Sequence, residues 1–520
     1  MAVQPSDTHE LAGFGYKQEL NRSLGSFSSF AAGFSYISIL TGVFQLFAFG
    51  FVFGGPAVWW TWPIVFLGQM SVALCFAELA GQYPLAGSVY QWSKRISSDF
   101  TSWMAGWIMV VGSIVTVAAV AVALQVILPQ VSPWFQFVGS SKDAGTYLTP
   151  DGAKNAILLG AILVIFTTAV NMIGVKLMAR INNVGVIAEL IGSTLLIILL
   201  AFHFTRGPGV VTHNLGLGAG HEWGYFGAFI IGGIMSAYVM YGFDTAGTLA
   251  EETNDPRRHA PPAIIRALAT AGLIGGLLIL FALMSVKDIN DKNIGVLGLP
   301  YIVKQALGNT TGNVFLIDSA IAITVCCLAV HTACIRMMFA MARDGRLPFG
   351  PQVARVSGRG KVPIVPAIVV GVLTIALLAI NITNQSAFLA LISVAIIMFY
   401  LAYLCVTGPL LLRRLRRTWP KPDHGPYFSL GRWGLLVNAF AVAYGALVAI
   451  NIAWPRNDVY NAIGKHHWYF QWAAFVFIGL VFLLGAFYYF VVHNRRPIQV
   501  LAEHRAQMDL AEPPLAEMAP

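Results

Sequence analysis

Long apolar runs recur along the whole sequence, and they constrain its fold more than any other feature. A helix of about 20 apolar residues covers the roughly 30 Å of hydrocarbon in a bilayer. Twelve runs approach or exceed this length, at 27–51, 56–80, 103–129, 153–173, 183–205, 225–249, 262–285, 312–341, 363–381, 387–411, 432–453 and 468–492. We therefore expect an all-α polytopic membrane protein with twelve transmembrane helices.

The composition excludes a soluble protein and offers little for catalysis. Of the 520 residues, 57% are hydrophobic and 11% are charged, and no connection between spans could hold a soluble domain. All the cysteines fall inside predicted spans, which is typical of apolar packing and not of disulfides or a metal site (Cys75, Cys326, Cys327, Cys334 and Cys405). The sequence contains no phosphate-binding or dinucleotide-binding glycine loop. We expect no catalytic residues, metal or cofactor, so the chain is predicted not to be an enzyme.

The basic residues are distributed unevenly between the two sides of the predicted bundle. The net charge is +9, and 24 of the 32 lysines and arginines fall on one side when the spans are threaded in order. The positive-inside rule then places both termini in the cytoplasm of a multi-pass plasma-membrane protein. The basic cluster at 413–417 is typical of contact with membrane lipids and does not indicate a nucleic-acid partner. We divide the chain into a cytoplasmic tail at 1–26, a transport core at 27–411, helices 11 and 12 at 412–492, and a disordered tail at 493–520.

Two of the spans carry polar and glycine residues at mid-depth, where lipid is driest. The first span contains Ser38, Thr41 and Gly42 in its centre, and the sixth contains Gly242 and Asp244 past its middle. Such residues are typical of an interrupted helix whose freed backbone binds a ligand. They also occur in continuous helices as close-packing points, so this pattern alone leaves both interpretations open.

The spacing of the two interrupted spans predicts an inverted repeat. They lie five helices apart, and because five is odd, a second five-helix unit would enter the membrane from the opposite face. This predicts repeats over about 27–205 and 225–411, with broken helices 1 and 6 meeting antiparallel and two extra C-terminal helices. The outer half of span 1 would begin near 42–44 and the inner half of span 6 near 244–246. Both helix N-termini would then suit a carboxylate, and the C-terminal ends near Ser38 and Met240 would suit an ammonium or another cation.

Several motifs carry a resemblance to a known transporter family. They are Phe76-Ala77-Glu78-Leu79-Ala80 with Tyr83-Pro84 and Ala86-Gly87, Gly242-Phe243-Asp244 with Glu251-Glu252-Thr253, and Ala342-Arg343-Asp344-Gly345 with Leu347-Pro348. Over about 15–495 the chain resembles the amino acid–polyamine–organocation permeases. Its opening from Gly15 to Leu20 is similar to the amino acid/choline transporter branch, which includes fungal choline and GABA permeases. The resemblance implies the leucine-transporter-type five-plus-five fold and uptake by alternating access. Fungal members often have His four residues after the Asp of span 6, where this chain has Thr248.

The candidate substrate-binding residues lie at the two helix breaks. They are Ser38, Ile39, Thr41, Gly42, Tyr241, Gly242, Phe243 and Asp244. A charge at bilayer depth costs about 2.5–3.5 kcal/mol, so Asp244 needs a partner: the substrate ammonium, or the N–H groups of Ala246 or Gly247 as a helix cap. Phe243 could stack on a cationic ammonium or fill the core.

Glu189 in span 5 is the candidate proton-coupling residue. Burial makes a carboxylic acid easier to protonate, and in several proton-coupled relatives an ionisable residue on this helix occupies the region where sodium-coupled ones hold their ion. The alternative is a structural acid held by neighbouring backbone. Sodium needs several oxygens, and Thr324 and Thr332 in span 8 are not adjacent. In the same span we expect His331 to be a hydrogen-bonded packing residue and Asp318 to be solvated or capping.

An inner gate is predicted on the cytoplasmic side. We expect Glu78, Glu251 and Glu252 to pair there with Arg343, Arg346 or Lys94, the alternative being a solvated acidic face.

These observations predict a secondary active transporter that imports a small amino acid or amine across the plasma membrane by alternating access. Protons are favoured over sodium as the coupling ion because the oxygen set for sodium is poor. The alternatives are a sodium-coupled symporter or exchanger of the same fold, and an amine-binding membrane sensor. The sequence does not determine the oligomeric state.

Overall fold

The computed structural model describes residues 11, 13–358, 360–380, 387–420, 424–460 and 467–493. Helices make up most of this range, and within it extended backbone pairs only at two isolated bridges, Leu24–Thr253 and Val356–Pro363. Apart from His493, the predicted disordered tail at 493–520 lies outside the described residues.

The first half of the bundle contains seven helices. They are α1 (Ser26–Ile37), α2 (Ile39–Gly54), α3 (Thr61–Gln82), α4 (Ser88–Ile96), α5 (Asp99–Val131), α6 (Pro150–Ile173) and α7 (Val175–Ala201). The short helix α4 follows the turn after α3, and all but two of its residues are buried.

The second half begins with another broken helix and ends with the C-terminal elements. Its helices are α8 (Gly224–Gly232), α9 (Ile234–Val239), α10 (Thr245–Thr248), α11 (Pro256–Ser285), α12 (Lys292–Arg343), α13 (Gly350–Val353), α14 (Ile364–Ile380), α15 (Ala387–Leu415), α16 (Gly434–Ala453), α17 (Asn457–Tyr460), α18 (Trp468–Gln471) and α19 (Ala473–Tyr488). Non-helical backbone at Gly298 and Gly308 bends α12 near its start, where φ is 65° and 80°.

The helices confirm a multi-pass membrane protein. Within the described ranges, nine helical stretches are long and apolar enough to cross a bilayer, and one of them, Ser26–Gln82, contains two predicted spans. Gly224–Val239 and Ile364–Ile380 are shorter apolar helices at two further predicted spans. The count of twelve crossings stays a prediction.

The first helix is broken at a single residue. Ser38 has φ 35° and ψ 98°, a conformation that cannot continue a helix, and it separates α1 from α2. Its hydroxyl oxygen accepts the N–H of Thr41 at 3.4 Å and so caps the new helix. The outer half therefore begins at Ile39, and the prediction of a start near Gly42 is wrong because the Ser38 cap lets the helix resume at once.

The sixth predicted span is broken over a longer segment. The helix α9 ends at Val239 and α10 begins at Thr245, close to the predicted position. Between them Gly242 has φ 91°, which a residue without a Cβ adopts readily. Its N–H donates to the Tyr403 Oη of α15 at 2.9 Å, so a side chain replaces the missing helical acceptor.

The core of the bundle lies where α5 packs against α12 and α15, and where α11 packs against α3. In its most apolar window α5 is 89% buried, against 17% for the last helix, α19. The broken helices contact this core directly, since α12 packs against both α1 and α2.

Candidate functional site

The two broken helices cross in close contact. A Cβ placed on Gly42 would lie 2.5 Å from Val239 Cγ2, and one placed on Gly242 would lie 1.8 Å from Tyr36 Cδ1. Neither position can carry a side chain unless its neighbour moves. The glycines therefore bring the backbones of the two breaks together.

A small cavity lies beside this crossing. Its lining consists of Tyr36, Ile37, Thr41, Gly42, Thr116, Val120, Tyr238, Tyr241 and Cys326, all of them buried. The cavity volume is about 10 Å³, roughly what one water molecule needs. The bundle is thus closed around the site, and a larger molecule requires the helices to separate.

The predicted substrate residues divide into two groups. Thr41, Gly42 and Tyr241 line the cavity. The others do not line it: Ile39 packs towards Gly275 of α11, and Phe243 contacts other aromatic rings, with its ring centroid 5.4 Å from that of Tyr403.

Glu189 of α7 reaches the break in the first helix. Its side chain is fully buried, and its Oε1 accepts the Leu40 N–H and the Ser38 Oγ–H, both at 3.0 Å. Its Oε2 is buried, and within the part of the chain that the structure describes it has no hydrogen-bond partner. The predicted proton-coupling residue therefore occupies the N-terminus of α2, the helix end that was predicted to bind a substrate carboxylate.

Asp244 does not cap the inner half-helix, so that interpretation is wrong. Although it precedes α10, its side chain makes no capping bond. Instead its carboxylate accepts hydrogen bonds from Tyr403 Oη at 2.6 Å and from Ser88 Oγ at 2.8 Å. These longer-range donors satisfy the buried charge and tie the break to α4 and α15.

Two of the predicted gate acids form buried, bidentate ion pairs near the end of α12. Arg343 donates to Glu251 at 2.8 and 2.9 Å, as predicted. Glu252 pairs with Arg336, through bonds of 2.8 and 3.1 Å, and not with the expected partners. Bidentate pairs of this kind fix geometry as well as contributing energy.

Glu78 is not paired with Arg343, Arg346 or Lys94, contrary to the prediction. It forms an ion pair with Arg414 of α15, and it also accepts the Trp419 Nε1–H at 3.0 Å and the Leu430 N–H at 3.1 Å. Arg414 lies in the last turn of α15, and Trp419 and Leu430 lie between α15 and α16. Glu78 thus anchors that connection to α3 and is separate from the pairs of α12.

The remaining basic residues of the predicted gate have other acidic partners. Lys94 of α4 donates to Asp344 at 2.5 Å, while Arg346 pairs with Asp99. Burial is the largest influence on Lys94 and lowers its pKa, although Asp344 opposes the shift. For Asp344, burial favours a higher pKa, but the Lys94 ammonium and the Arg343 guanidinium outweigh it and hold the pKa below its usual value.

Sequence reasoning missed several residues of the site. Nothing marks Tyr403 or Thr116 within their apolar runs, yet the first bridges a helix break and the second lines the cavity. A signal did exist for Arg336, because a charge inside a span requires a partner of opposite charge. Across the described ranges, no three His, Cys, Asp or Glu side chains come together as a metal site would require.

The fold and the two helix breaks define a class of protein, the leucine-transporter-type membrane transporters. A solved structure with this fold, the crystal structure of MhsT in complex with L-phenylalanine, superposes with a TM-score of 0.57. The superposition covers 83% of this chain and 98% of MhsT, at 14% sequence identity, and it confirms the predicted fold class.

The chain belongs to the amino acid permease family, which its residues 24–492 match. The Arabidopsis thaliana amino-acid permease BAT1 is 30% identical to it over 87% of this chain and 89% of the relative. Amino-acid permease 2 of Neurospora crassa is 25% identical over 86% and 81%. These relatives confirm that the chain is a member of the amino acid–polyamine–organocation superfamily. They also confirm the prediction of an amino acid transporter and not an enzyme.

Proposed function

We propose that this protein imports a small amino acid or amine across the plasma membrane by alternating access, with protons as the coupling ion and both termini in the cytoplasm. The position of Glu189 carries the proposal. Its buried carboxylate accepts the Leu40 N–H at 3.0 Å, at a helix end whose N–H groups and partial positive charge suit an anion. A substrate carboxylate and the Glu189 carboxylate therefore compete for the same donors.

This competition links a proton to the substrate. When Glu189 takes up a proton, its oxygens become weaker acceptors, and the Leu40 N–H and Ser38 Oγ–H become available to the substrate carboxylate. When the substrate leaves on the other side, these donors favour the ionised acid again and Glu189 gives up its proton. One proton then moves with each substrate molecule.

The cavity supports a substrate with a cationic amine. Tyr36, Tyr238 and Tyr241 present aromatic rings, which attract an ammonium through cation–π interactions. The hydroxyls of Thr41 and Thr116 add hydrogen-bonding groups to an otherwise apolar lining. GABA combines a carboxylate with an amine and fits this arrangement, while choline would use the aromatic side of the site alone. Permeases for GABA and for choline both occur in the amino acid/choline transporter branch, to which we propose that this chain belongs.

Protons are favoured over sodium by the hydroxyls of α12. The Thr324 Oγ1–H donates to the Ala320 carbonyl at 2.8 Å, and the Thr332 Oγ1–H donates to Asn171 Oδ1 at 2.8 Å. The two hydroxyls lie about two turns apart on α12 and bond to different elements, so they do not converge on one point as the oxygen ligands of a sodium ion must.

Uptake into proteoliposomes under imposed gradients tests this function. A panel of labelled common L-amino acids, GABA, choline and polyamines is offered with either an inward proton gradient or an inward sodium gradient. We expect accumulation of at least one carboxylate-bearing substrate with the proton gradient, and its loss on adding a proton ionophore. Accumulation driven by sodium alone would reject proton coupling. Binding without any movement of labelled substrate would indicate a sensor.

A further inference from the structure

A second carboxylate lies near Glu189 on the neighbouring helix α12. Asp318 packs so closely on Gly192 of α7 that a Cβ on this glycine would lie 1.8 Å from Asp318 Oδ2. That oxygen is buried and has no hydrogen-bond partner among the described residues, as is also true of Glu189 Oε2. From the sequence we expect Asp318 to be solvated or to cap a helix, and for its Oδ2 atom this expectation is wrong.

Two glycine contacts fix the register of α7 against α12. Asp318 meets Gly192 at one contact, and Val325 meets Gly185 at the other, so the two helices run antiparallel. Glu189 lies between these contacts on α7, one turn from Gly192 and therefore on the same face. Opposite it, between Asp318 and Val325, α12 carries Ala322, a small and fully buried residue. Ala322 therefore lies between the two acids along the seam.

The two acids differ in their access to the surroundings. Glu189 is fully buried, whereas Asp318 is partly exposed at the surface of the bundle. In the predicted topology, α7 runs outwards, so Asp318 lies on the outer side of Glu189. Among the described residues, the Cys326 thiol of α12 is a further titratable group close to Glu189. The nearby Ser38 and Thr41 carry only hydroxyls.

We propose that Asp318 is a relay residue that loads Glu189 with protons from the outer side. This inference rests on the proposed proton coupling. The Asp318 carboxylic acid passes its O–H proton to the Glu189 carboxylate through one bridging water, which takes up that proton as it gives up its own, so that Asp318 is left ionised and Glu189 neutral. Asp318 then takes the next proton from the outer side of the membrane. The partner-free oxygens of both acids are the atoms that exchange it.

Hydrogen–deuterium exchange of the Glu189 acid group tests the relay without knowledge of the substrate. In purified protein the C=O stretch of this buried acid is assigned by infrared difference spectroscopy as the band that Glu189→Gln removes. We expect Asp318→Asn to slow its exchange in heavy water by about tenfold or more, because a positioned acid–base group is lost. Asp318→Glu should restore part of the rate. Asp288→Asn, which removes an exposed acid just before α12, is the matched control and should change nothing.

A second variant moves the carboxylate without removing it. Gly192→Ala places a methyl group where Asp318 Oδ2 lies, so we expect slowed exchange of the Glu189 acid with both acids still present. Unchanged exchange in both Asp318→Asn and Gly192→Ala would overturn the relay. If one of them does not fold, unchanged exchange in the other is sufficient to overturn it.

A measurement of proton flux shows whether only the relay proposal fails or whether the proposed proton coupling fails as well. In proteoliposomes with an entrapped pH dye, a mixture of common L-amino acids and GABA should induce proton uptake in the wild type, and several-fold slower uptake in Asp318→Asn. Equal flux in the two proteins would overturn the relay alone. Substrate movement without proton flux in the wild type would overturn both proposals.

Discussion

Glu189 is the residue on which ion coupling depends in this account. Its carboxylate accepts two donors at the start of α2 and leaves one buried oxygen free. Glutamine keeps an acceptor oxygen for those donors but cannot ionise. We therefore expect Glu189→Gln to abolish proton-driven accumulation while exchange of labelled for unlabelled substrate stays within about threefold of the wild type. Concentrative uptake at the wild-type level would reject Glu189 as the coupling residue.

Gly42 is a predicted substrate-binding residue that is also closely packed against the second broken helix. An added Cβ would lie 2.5 Å from Val239 Cγ2, so a side chain at this position would collide with α9. Gly42→Ala must push α2 and α9 apart, and overpacking of this kind typically costs about 1–3 kcal/mol.

The Gly42→Ala variant should lower transport by about tenfold, measured as initial uptake in proteoliposomes at equal protein density. A tenfold loss corresponds to roughly 1.4 kcal/mol, which is within the range expected when the two helices are pushed apart. Removing the obstacle in Gly42→Ala/Val239→Ala should recover much of the loss. Gly207→Ala, at an exposed site with open space around it and no positive φ, is the control and should behave as the wild type. A double variant as inactive as Gly42→Ala would contradict the helix-crossing explanation.

At the scale of elements, Tyr403 holds the break between α9 and α10 in shape. Its hydroxyl accepts the Gly242 N–H at 2.9 Å and donates to Asp244 at 2.6 Å. Tyr403→Phe would leave both groups buried with a lost partner, which typically costs about 1–3 kcal/mol. We expect a lower melting temperature in detergent together with at least a several-fold loss of substrate affinity.

A matched tyrosine on the same helix provides the control for Tyr403. The Tyr400 and Tyr444 hydroxyls bond to each other at 2.9 Å, whereas the Tyr403 hydroxyl bonds to residues of the break. Tyr400→Phe should reduce thermal stability modestly and leave substrate affinity within about twofold, since a typical hydrogen bond contributes only about 0.5–1.5 kcal/mol. Equal effects of the two variants on affinity would show that Tyr403 has no special role at the break.

The breaks themselves could be predicted from the sequence, but most of their partners could not. Polar residues in the driest part of an apolar run mark a break, and Ser38 and Gly242 both have positive φ there. Which side chains bond to each other depends on packing between segments that are distant in the sequence. Tyr403 lies in an ordinary apolar run with nothing to mark it, and Arg414 is far along the chain from its partner Glu78. Membrane sidedness indicates which charges share a surface, and it does not resolve which of them touch.

At the scale of the whole molecule, the ion pairs near the end of α12 connect several elements. Arg343 pairs with Glu251, and its guanidinium also lies 4.1 Å from the centroid of the Tyr16 ring. The same stretch of the N-terminal segment bonds backbone to backbone with Glu252 through Ser23 and Leu24. In the proposed cycle, these contacts close the cytoplasmic side and must separate for the substrate to leave.

Breaking the Arg343–Glu251 pair should therefore have a large effect. Both side chains are at most 8% exposed, and removing one partner of a buried pair costs about 3–5 kcal/mol. We expect Arg343→Ala to lower the melting temperature and to impair exchange, and the swap Arg343→Glu/Glu251→Arg to recover part of both.

An exposed pair on the same chain provides the control for this gate. Lys154 and Asp151 are 49% and 44% exposed, and such pairs contribute about 0–1 kcal/mol. Lys154→Ala should leave the melting temperature and exchange almost unchanged. If Arg343→Ala has no more effect than Lys154→Ala, the pair does not serve as a gate.

The most direct test of the central claim is the number of protons taken up when a substrate binds. Isothermal titration in buffers with different ionisation enthalpies measures this number for the first carboxylate-bearing substrate that the transport panel identifies. At a pH where Glu189 is ionised in the free protein, the account predicts close to one proton per substrate for the wild type and none for Glu189→Gln. Substrate binding with no proton uptake across the accessible pH range, or with equal uptake in the two proteins, would contradict it.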